Sequence, residues 1–199
     1  MKSLTKQLIQ TLSIIVISPL ITMHLITTLW SSEGLFVFIS QLLSLIPGRI
    51  GSYLRIAFNR FAMTHCHPDC FIGFSTLFSH KSTRIEQGVY IGPQCNIGMC
   101  QIGKDTLIAS GVHILSGSHQ HGTTDLNRPI QQQEGEYQKI SIGEDCWIGN
   151  GSLIMADIGD KCLIGAGSVV TRSIPDYSIA VGNPAKIIKS RLDSANDKQ

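Results

Sequence analysis

Residues 140–154 read ISIGEDCWIGNGSLI, and this stretch decides the fold. Ile142, Ile148 and Ile154 recur at every sixth position, and glycine follows the first two. A period of about six residues predicts an all-β fold of the parallel β-helix type, in which each repeat supplies one short strand and one turn. One strand cannot bury its own apolar face, so successive coils must stack. Outward from this stretch the repeat continues, with small irregularities, through Ile72, Phe78, Ile85, Ile91, Ile97, Ile102, Ile108, Ile114, Ile158, Ile164 and Val170.

The composition argues against several other classes of protein. The 199 residues carry a formal net charge of +2 and the basic residues are scattered, so no nucleic-acid partner is expected. Six cysteines lie mostly inside the repeats, where a small apolar side chain is needed, and we interpret them as reduced thiols of a cytosolic protein. Residues 65–70 read HCHPDC but lack a second ligand pair at zinc spacing, so we assign them to the first coil and expect no metal.

Residues 1–63 differ in composition from the rest of the chain. Residues 8–30 contain no Asp, Glu, Lys or Arg, and a second apolar run covers residues 35–46. The first run is long enough to cross a bilayer, although Pro19 and His24 interrupt it. Because basic residues flank the two runs, both ends are predicted on the cytoplasmic side. The favoured interpretation is a helical hairpin that enters the cytoplasmic leaflet or lies on it. A cap packed on protein and a single spanning helix are the alternatives.

The segment 47–63 is predicted to form an amphipathic helix. Leu54, Phe58 and Phe61 recur at helical spacing and define its apolar face. The helix either lies on the membrane surface or packs across the open end of the β-helix, and both can hold at once. Three cations lie around the apolar face and are expected to meet anionic headgroups: Arg49, Arg55 and Arg60.

The repeat stops after Ile114 and restarts near residue 140, which leaves a polar loop over residues 120–139. A long loop in an otherwise regular solenoid is usually functional or disordered. His119 and His121 stand where the chain leaves the coils. Histidine is the side chain best suited to take a proton near neutral pH, so this exit is the predicted catalytic region.

Three stretches then carry a family resemblance. Residues 146–149 read CWIG, residues 164–176 read IGAGSVVTRSIPD, and residues 181–186 read VGNPAK. With the repeats and the interrupting loop, they resemble the hexapeptide-repeat acyltransferases, whose fold is a left-handed parallel β-helix. The likeness is to the branch of maltose, galactoside, nodulation-factor and surface-polysaccharide O-acetyltransferases. It covers residues 72–191 and implies a catalytic domain over residues 64–185 with a tail over 186–199.

The resemblance also implies roles for individual residues. His119 becomes the general base and His121 its competitor. His113 falls inside a repeat and is interpreted as a turn or subunit-interface residue, and His80 as a structural residue. Contacts with the acceptor substrate are assigned to Asn96, His121 and Asp125. The resemblance implies acetyl-CoA as donor, bound in a groove between the subunits of a homotrimer. The residues expected along that groove are Trp147, Asn150, Ala166, Thr171, Arg172, Lys186 and Lys189.

The function implied is transfer of an acetyl group from acetyl-CoA to a sugar hydroxyl. An N-terminal hairpin on the cytoplasmic leaflet of a bacterial membrane would bring the site close to lipid-linked sugars, so a polysaccharide or lipid-linked glycan precursor is the favoured acceptor. Another acceptor, such as serine, an amino sugar or an antibiotic, remains open. A non-catalytic β-helix scaffold is less favoured, because it would not need His119 or the C-terminal motif. A β-helix carbonic anhydrase is less favoured, because it needs three metal-binding histidines across a subunit interface and the repeats lack a matching pattern.

Overall fold

The computed structural model describes residues 2–27 and 33–196. Three helices come first, α1 (Lys2–Thr27), α2 (Glu33–Ser44) and α3 (Gly48–Ala62), and a short α4 (Arg191–Asn196) comes last. The predicted turn between the apolar runs, at residues 31–34, lies mostly outside the described residues. The strands are β1 (His65–Cys66), β2 (Phe71–Ile72), β3 (Leu77–Phe78), β4 (Arg84–Ile85), β5 (Tyr90–Ile91), β6 (Asn96–Ile97), β7 (Cys100–Ile102), β8 (Leu107–Ile108), β9 (His113–Ile114), β10 (Ile140–Ile142), β11 (Trp147–Ile148), β12 (Leu153–Ile154), β13 (Leu163–Ile164), β14 (Val169–Val170), β15 (Ser178–Val181) and β16 (Lys186–Ser190).

The strands stack into three parallel sheets, one on each side of a prism. Sheet A has the order β1-β4-β7-β10, and single bridges at Ile158 and Ile174 extend it. Sheet B has the order β2-β5-β8-β11-β13-β15-β16, and sheet C the order β3-β6-β9-β12-β14. Each coil therefore contributes one strand to each sheet in turn. The parallel β-helix predicted from the six-residue period is confirmed.

The inward residue of each strand forms the core. On sheet B, five isoleucines stack in register and each is 0% exposed: Ile72, Ile91, Ile108, Ile148 and Ile164. The residue before each of them points outward, as Trp147 does at 51% exposure. Burying an isoleucine side chain stabilises the fold by roughly 1.5–3 kcal/mol. The stacked isoleucines therefore supply the main force that holds the coils together.

Small inward side chains at the corners satisfy backbone carbonyls of the next coil. The hydroxyls of Thr76, Thr106 and Ser152 donate to carbonyls 2.7–3.1 Å away. The thiols of Cys146 and Cys162 occupy equivalent positions, each 3.1 Å from a carbonyl oxygen. All six cysteines are unpaired, in agreement with the prediction of reduced packing residues. Burial raises the pKa of Cys100 to about 12, so this thiol is neutral at physiological pH.

The predicted loop is present and begins slightly earlier than expected. Gly117 has φ +85, a left-handed conformation that glycine adopts without strain, and it turns the chain away from the coils. The amide of Gln138 donates to the carbonyl of Ser116 (2.9 Å), and that of Glu136 to the carbonyl of His119 (2.7 Å). A Cβ added at Gly135 would lie 2.1 Å from the Gln120 oxygen. The two arms of the loop thus run side by side in close contact.

Helix α3 covers the open end of the β-helix, as one of the two interpretations predicted. It contacts β1 and β2, while α2 contacts β3. The hydroxyl of Ser52 accepts the amide of Ile72 at 3.1 Å, which ties the helix to the first coil. The apolar face differs from the predicted one, because Phe58 is 1% exposed but Phe61 is 44% exposed. Several faces of α3 have similar composition, and the elements that pack against the helix determine which of them is buried.

The prediction that Arg55 meets lipid headgroups is wrong. Arg55 is 2% exposed, whereas Arg49 and Arg60 are exposed. Its guanidinium donates to the carbonyls of Leu43 (3.0 Å), Ile46 (2.8 Å) and Ile72 (3.0 Å). Burial lowers the pKa of Arg55 to about 10, and the group is still cationic at neutral pH. Arg55 therefore closes the end of α2 and joins it to the first coil.

Residues 186–196 correct the prediction of a C-terminal tail. They form β16, which pairs antiparallel with β15, and then α4. Arg191 fastens this segment to the coils, since its Nη1 donates to the carbonyls of Asp145 (3.1 Å) and Lys161 (3.0 Å). The remaining residues of the predicted tail, 197–199, lie outside the described residues.

Candidate active site

A cavity of about 500 Å³ lies between the outer face of sheet C and the arms of the loop. This volume is within the range of small-molecule sites. Its lining is mainly polar and includes Ser79, His80, Asn96, His113, Gln120 and Tyr137. We call it the loop cavity.

Asn96 and His113 reach the loop cavity because of the strand alternation. Each directly precedes an inward isoleucine, Ile97 or Ile114, and so points outward. The two residues are paired in register on neighbouring strands β6 and β9. An amide and an imidazole therefore lie next to each other on one wall, where both can hydrogen-bond a ligand.

His80 and Tyr137 close another side of the loop cavity. Their ring centroids are 5.6 Å apart, so the returning arm of the loop contacts the turn after β3. The Nδ1 atom of His80 lies 2.8 Å from the Ser79 hydroxyl, which orients the imidazole. This contact holds the loop against the coils, and β6 and β9 form the wall of the cavity on the same side.

His119 lies in the chain between Ser116 and Gln120, both of which line the loop cavity. Its side chain is exposed, and its Nδ1 is 3.0 Å from the hydroxyl of Ser118. In the tautomer whose Nδ1–H donates to that hydroxyl, Nε2 keeps its lone pair and can accept a proton. The backbone of His119 is fixed by its hydrogen bond from Glu136.

The other two predicted acceptor residues lie further along the loop. His121 is exposed and lies within the paired arms, where a Cβ added at Gly135 would come 2.4 Å from its nitrogen. Asp125 is near the tip, where its Oδ1 accepts the amide of Asn127 (2.9 Å) and the Gln133 side chain accepts the amide of Asp125 (3.1 Å). The structure thus brings Asn96 into the loop cavity and leaves Asp125 in a turn of the loop.

Three of the predicted donor-site residues share one corner of the prism. Trp147 is on the outer face of β11, and Asn150 follows it at the corner between sheets B and C. Ala166 occupies the same corner one coil later, and a Cβ added at Gly149 would lie 2.4 Å from its nitrogen. Glycine at 149 lets the two coils approach closely, which leaves a narrow, side-chain-poor strip of backbone beside Trp147.

The remaining predicted donor-site residues lie elsewhere on the prism. Thr171 and Arg172 are exposed and follow β14, at the corner on the opposite side of sheet C from Ala166. Lys186 and Lys189 are exposed on β16, the edge strand of sheet B. Within one chain the seven residues therefore fall into separate groups around the prism.

Sequence reasoning missed two residues of the site. His80 and His113 are interpreted above as structural, yet both line the loop cavity. A signal for His113 was present, because it precedes the inward Ile114 just as Asn96 precedes Ile97. His80 had no such signal, since its place in the wall depends on Tyr137 of the returning loop.

Clusters of His, Cys, Asp and Glu side chains could also serve as metal ligands. Within residues 2–27 and 33–196, no group of three or more His, Cys, Asp or Glu side chains is arranged to hold a metal ion. In the first coil, Cys66 and Cys70 have their sulfur atoms 3.9 Å apart, and Nδ1 of His67 accepts the amide of Asp69 at 3.0 Å. The histidine is thus used in a local turn.

The geometry defines a hexapeptide-repeat β-helix with a loop inserted beside an exposed histidine, and comparison with known proteins agrees. A profile described as the hexapeptide repeat of succinyl-transferase matches residues 139–172. Nodulation protein L of Rhizobium leguminosarum bv. viciae is 42% identical over 52% of this chain and 55% of its own length. WbbJ of Escherichia coli K12, described as a putative lipopolysaccharide biosynthesis O-acetyl transferase, is 33% identical over 59% of this chain and 62% of its own length.

A solved structure of a galactoside acetyltransferase in complex with coenzyme A shows the same fold, with a TM-score of 0.70 and 22% identity over 82% of this chain and 83% of that one. The chain is similar to hexapeptide-repeat acetyltransferases and shares their fold, and the resemblance seen in its motifs is confirmed. It spans less than two thirds of the length of the curated relatives it matches.

Proposed function

We propose that the protein transfers an acetyl group from acetyl-CoA to a hydroxyl of a sugar. The observation that carries this proposal is the position of His119 at the start of the loop, next in the chain to Gln120, which lines a polar cavity of about 500 Å³. Two relatives named for nodulation and for O-acetyl transfer in lipopolysaccharide biosynthesis support a glycan acceptor. The amide, imidazole and hydroxyl groups of the cavity can hydrogen-bond the several hydroxyls of a sugar ring.

The proposed reaction is a direct transfer. Nε2 of His119 accepts the proton of the acceptor hydroxyl while its oxygen bonds to the thioester carbon. The carbon–sulfur bond then breaks, the proton passes to the sulfur, and the products are an acetyl ester and coenzyme A. Backbone N–H groups at the corner of Asn150 are placed to stabilise the oxyanion. Trp147 and the backbone strip at Ala166 would flank the pantetheine arm, and Arg172, Lys186 and Lys189 supply cations for phosphates.

Acetyl transfer and the acceptor pocket can be tested in one assay. Membranes from cells that make the native glycan, incubated with labelled acetyl-CoA and the purified protein, should gain label in an alkali-labile ester. Asn96→Ala should raise the KM for the acceptor by about 10-fold, since one or two hydrogen bonds to the ligand are lost. The KM for acetyl-CoA should change by less than about 2-fold, because Asn96 lies in the loop cavity. Label released only as free acetate would contradict a transferase.

We also propose that the active unit is a homotrimer. The predicted donor-site residues lie at separate corners of one chain, and a groove between two prisms would bring such groups together. Light scattering of the protein in mild detergent should give three chains of 21.7 kDa, about 65 kDa in all after correction for detergent. A fully active monomer would refute both the assembly and the shared groove.

A membrane location is the third part of the proposal. α1 is long and apolar enough to cross a bilayer, with mean hydropathy 1.8 over Leu4–Thr27. However, one of its faces is bound to protein along its length: Lys6 pairs with Asp69, Gln10 donates to the carbonyl of Pro68, and Ile17 and Ile21 are buried. We therefore propose that α1 lies along the membrane surface. Its outward apolar side chains would enter the cytoplasmic leaflet.

The outward face of the cap is unusually apolar for an exposed surface. Among the described residues from Leu4 to Ile50, twelve large apolar side chains are 39% or more exposed: Leu4, Leu8, Leu12, Ile15, Val16, Met23, Leu25, Ile26, Phe38, Leu42, Leu45 and Ile50. Soluble monomers rarely leave so many such side chains contiguous on helices that pack together. We call this set the apolar cap face.

Vesicle flotation tests the apolar cap face. The full chain should float with lipid vesicles and stay bound in 1 M salt, because burial of apolar side chains is not screened. Val16→Asp should weaken binding by about 10-fold or more, since a carboxylate then has to enter the leaflet. Asn127→Asp in the loop adds the same charge far along the chain and serves as the control. Equal binding by both variants would contradict insertion of this face into the leaflet.

A further inference from the structure

A second cavity, of about 490 Å³, lies outside the proposed acetyl-transfer site. It is enclosed by the first turns of α1 and α3 and by the outer face of the first strands of sheet B. The lining includes Lys6, Arg49, Tyr53, Ile56, Phe71 and Tyr90. We call it the cap cavity. The acetyl-transfer proposal uses none of these residues.

The floor of the cap cavity is flat, aromatic and apolar. The rings of Phe71 and Tyr90 stack with centroids 4.9 Å apart and planes within 6° of parallel. They are the outward residues of β2 and β5, paired in register. Tyr90 is 40% exposed, and Ile56 of α3 stands beside the pair. Water hydrates such an apolar surface poorly. An apolar chain that covers it would therefore be stabilised by burial.

Cations from two helices meet at the same cavity. Arg49 is exposed in the first turn of α3, and Lys6 comes from α1. Lys6 also forms an ion pair with Asp69, which holds its ammonium in place between the helix and the first coil. Among the described residues that line the cavity, none is acidic. Arginine suits this place because its planar guanidinium can bind phosphate through two hydrogen bonds.

Two residues that line the cap cavity are close in the chain to members of the apolar cap face. Leu4 lies two residues before Lys6 and is 71% exposed, and Ile50 directly follows Arg49 and is 73% exposed. A molecule with an anionic head and an apolar tail would suit this place. Its head can contact the cations and its tail the aromatic floor, and the nearby helical residues include side chains that would enter a leaflet. A free phosphate would use the cations but leave the aromatic floor uncovered.

We propose that the cap cavity binds one anionic phospholipid of the membrane leaflet. Arg49 binds its phosphate, with the ammonium of Lys6, which is paired with Asp69, beside it, and the first carbons of an acyl chain lie on Phe71 and Tyr90. The bound lipid would fix the rotation of α1 about its axis and so the height of the coils above the membrane. The site is a binding site only, and it does not depend on whether the protein transfers acetyl groups.

Native mass spectrometry of the full chain tests this site. The protein is released from neutral detergent that contains either phosphatidylglycerol or phosphatidylcholine. We expect one phosphatidylglycerol retained per chain and little phosphatidylcholine. Arg49→Gln should lower the apparent affinity by about 10-fold, the loss expected for a charge-assisted hydrogen bond. Arg60→Gln is the matched control, since it removes the same charge from an exposed position of α3 outside the cavity, and it should change the affinity by less than about 2-fold.

Three results would overturn the lipid site. Equal retention of the two lipids would show that the head is not recognised. Equal losses of lipid affinity in the Arg49→Gln and Arg60→Gln proteins would show that the lipid responds only to general surface charge. Full displacement of the lipid by millimolar inorganic phosphate would show a phosphate site without a role for the aromatic floor. Circular dichroism of both variants, expected to match the unmodified chain, shows whether a loss of binding reflects misfolding.

Discussion

His119→Ala lowers kcat by about 10²–10⁴-fold, the usual contribution of a positioned general base. The KM for acetyl-CoA should stay within about 2-fold, because the role proposed for the imidazole is to take the proton of the acceptor. The measurement is a steady-state titration of both substrates, with coenzyme A release followed by a thiol reagent. Proper folding of the variant can be checked directly, since His119 is exposed and its backbone hydrogen bond from Glu136 is kept by alanine.

Two other imidazoles near the loop cavity serve as controls for this result. His121→Ala should reduce kcat by less than about 10-fold, since its proposed role is to contact the acceptor and not to take its proton. His113→Ala should act mainly on the KM of the acceptor, because His113 lines the cavity wall. If His121→Ala or His113→Ala gives the large loss of kcat and His119→Ala does not, the assignment of the general base is wrong.

Arg55→Met is expected to produce the largest loss of stability among substitutions outside the β-helix core. The guanidinium bonds the carbonyls of Leu43, Ile46 and Ile72. Methionine leaves those of Ile46 and Ile72 without this donor, and the Leu43 carbonyl keeps only the 3.3 Å bond from the amide of Ile46. Each unsatisfied buried group costs about 1–3 kcal/mol, so the free energy of unfolding should fall by about 3–5 kcal/mol. For a chain of this length, the melting temperature should drop by roughly 10 °C or more.

Arg60→Met is the matched control for Arg55→Met. It lies in the same helix and removes the same charge, but its side chain is exposed. Thermal melts followed by circular dichroism should show a shift of less than about 2 °C for this variant. Equal shifts would mean that Arg55 acts through general charge, and the proposed closure of the first coil by its guanidinium would have to be given up. Limited proteolysis near residues 44–48 should accelerate in Arg55→Met alone.

The β-helix and its interruption could be predicted because both depend on residues that are close together in the sequence. Ile142, Ile148 and Ile154 repeat at the spacing of the coils, and each coil buries its own inward residue against the next. The absence of the repeat between Ile114 and residue 140 predicted the loop for the same reason. The packing role of the cysteines could also be predicted from the sequence. A thiol at a corner position contacts a carbonyl as the hydroxyl of Thr76 or Ser152 does.

Contacts between distant segments decided the rest. Arg55 looked like a surface cation because its three acceptors lie 9 to 17 positions away in the chain, at the end of α2 and in the first coil. His80 joined the loop cavity only when the returning loop placed Tyr137 beside it. The sequence by itself determined the coil, the position of the loop and the candidate His119, because short-range periodicity and spacing control them. The tertiary structure decided which face of α3 is buried, which polar groups share a cavity and that residues 186–190 add a strand, because these depend on elements that meet only after the coils have stacked.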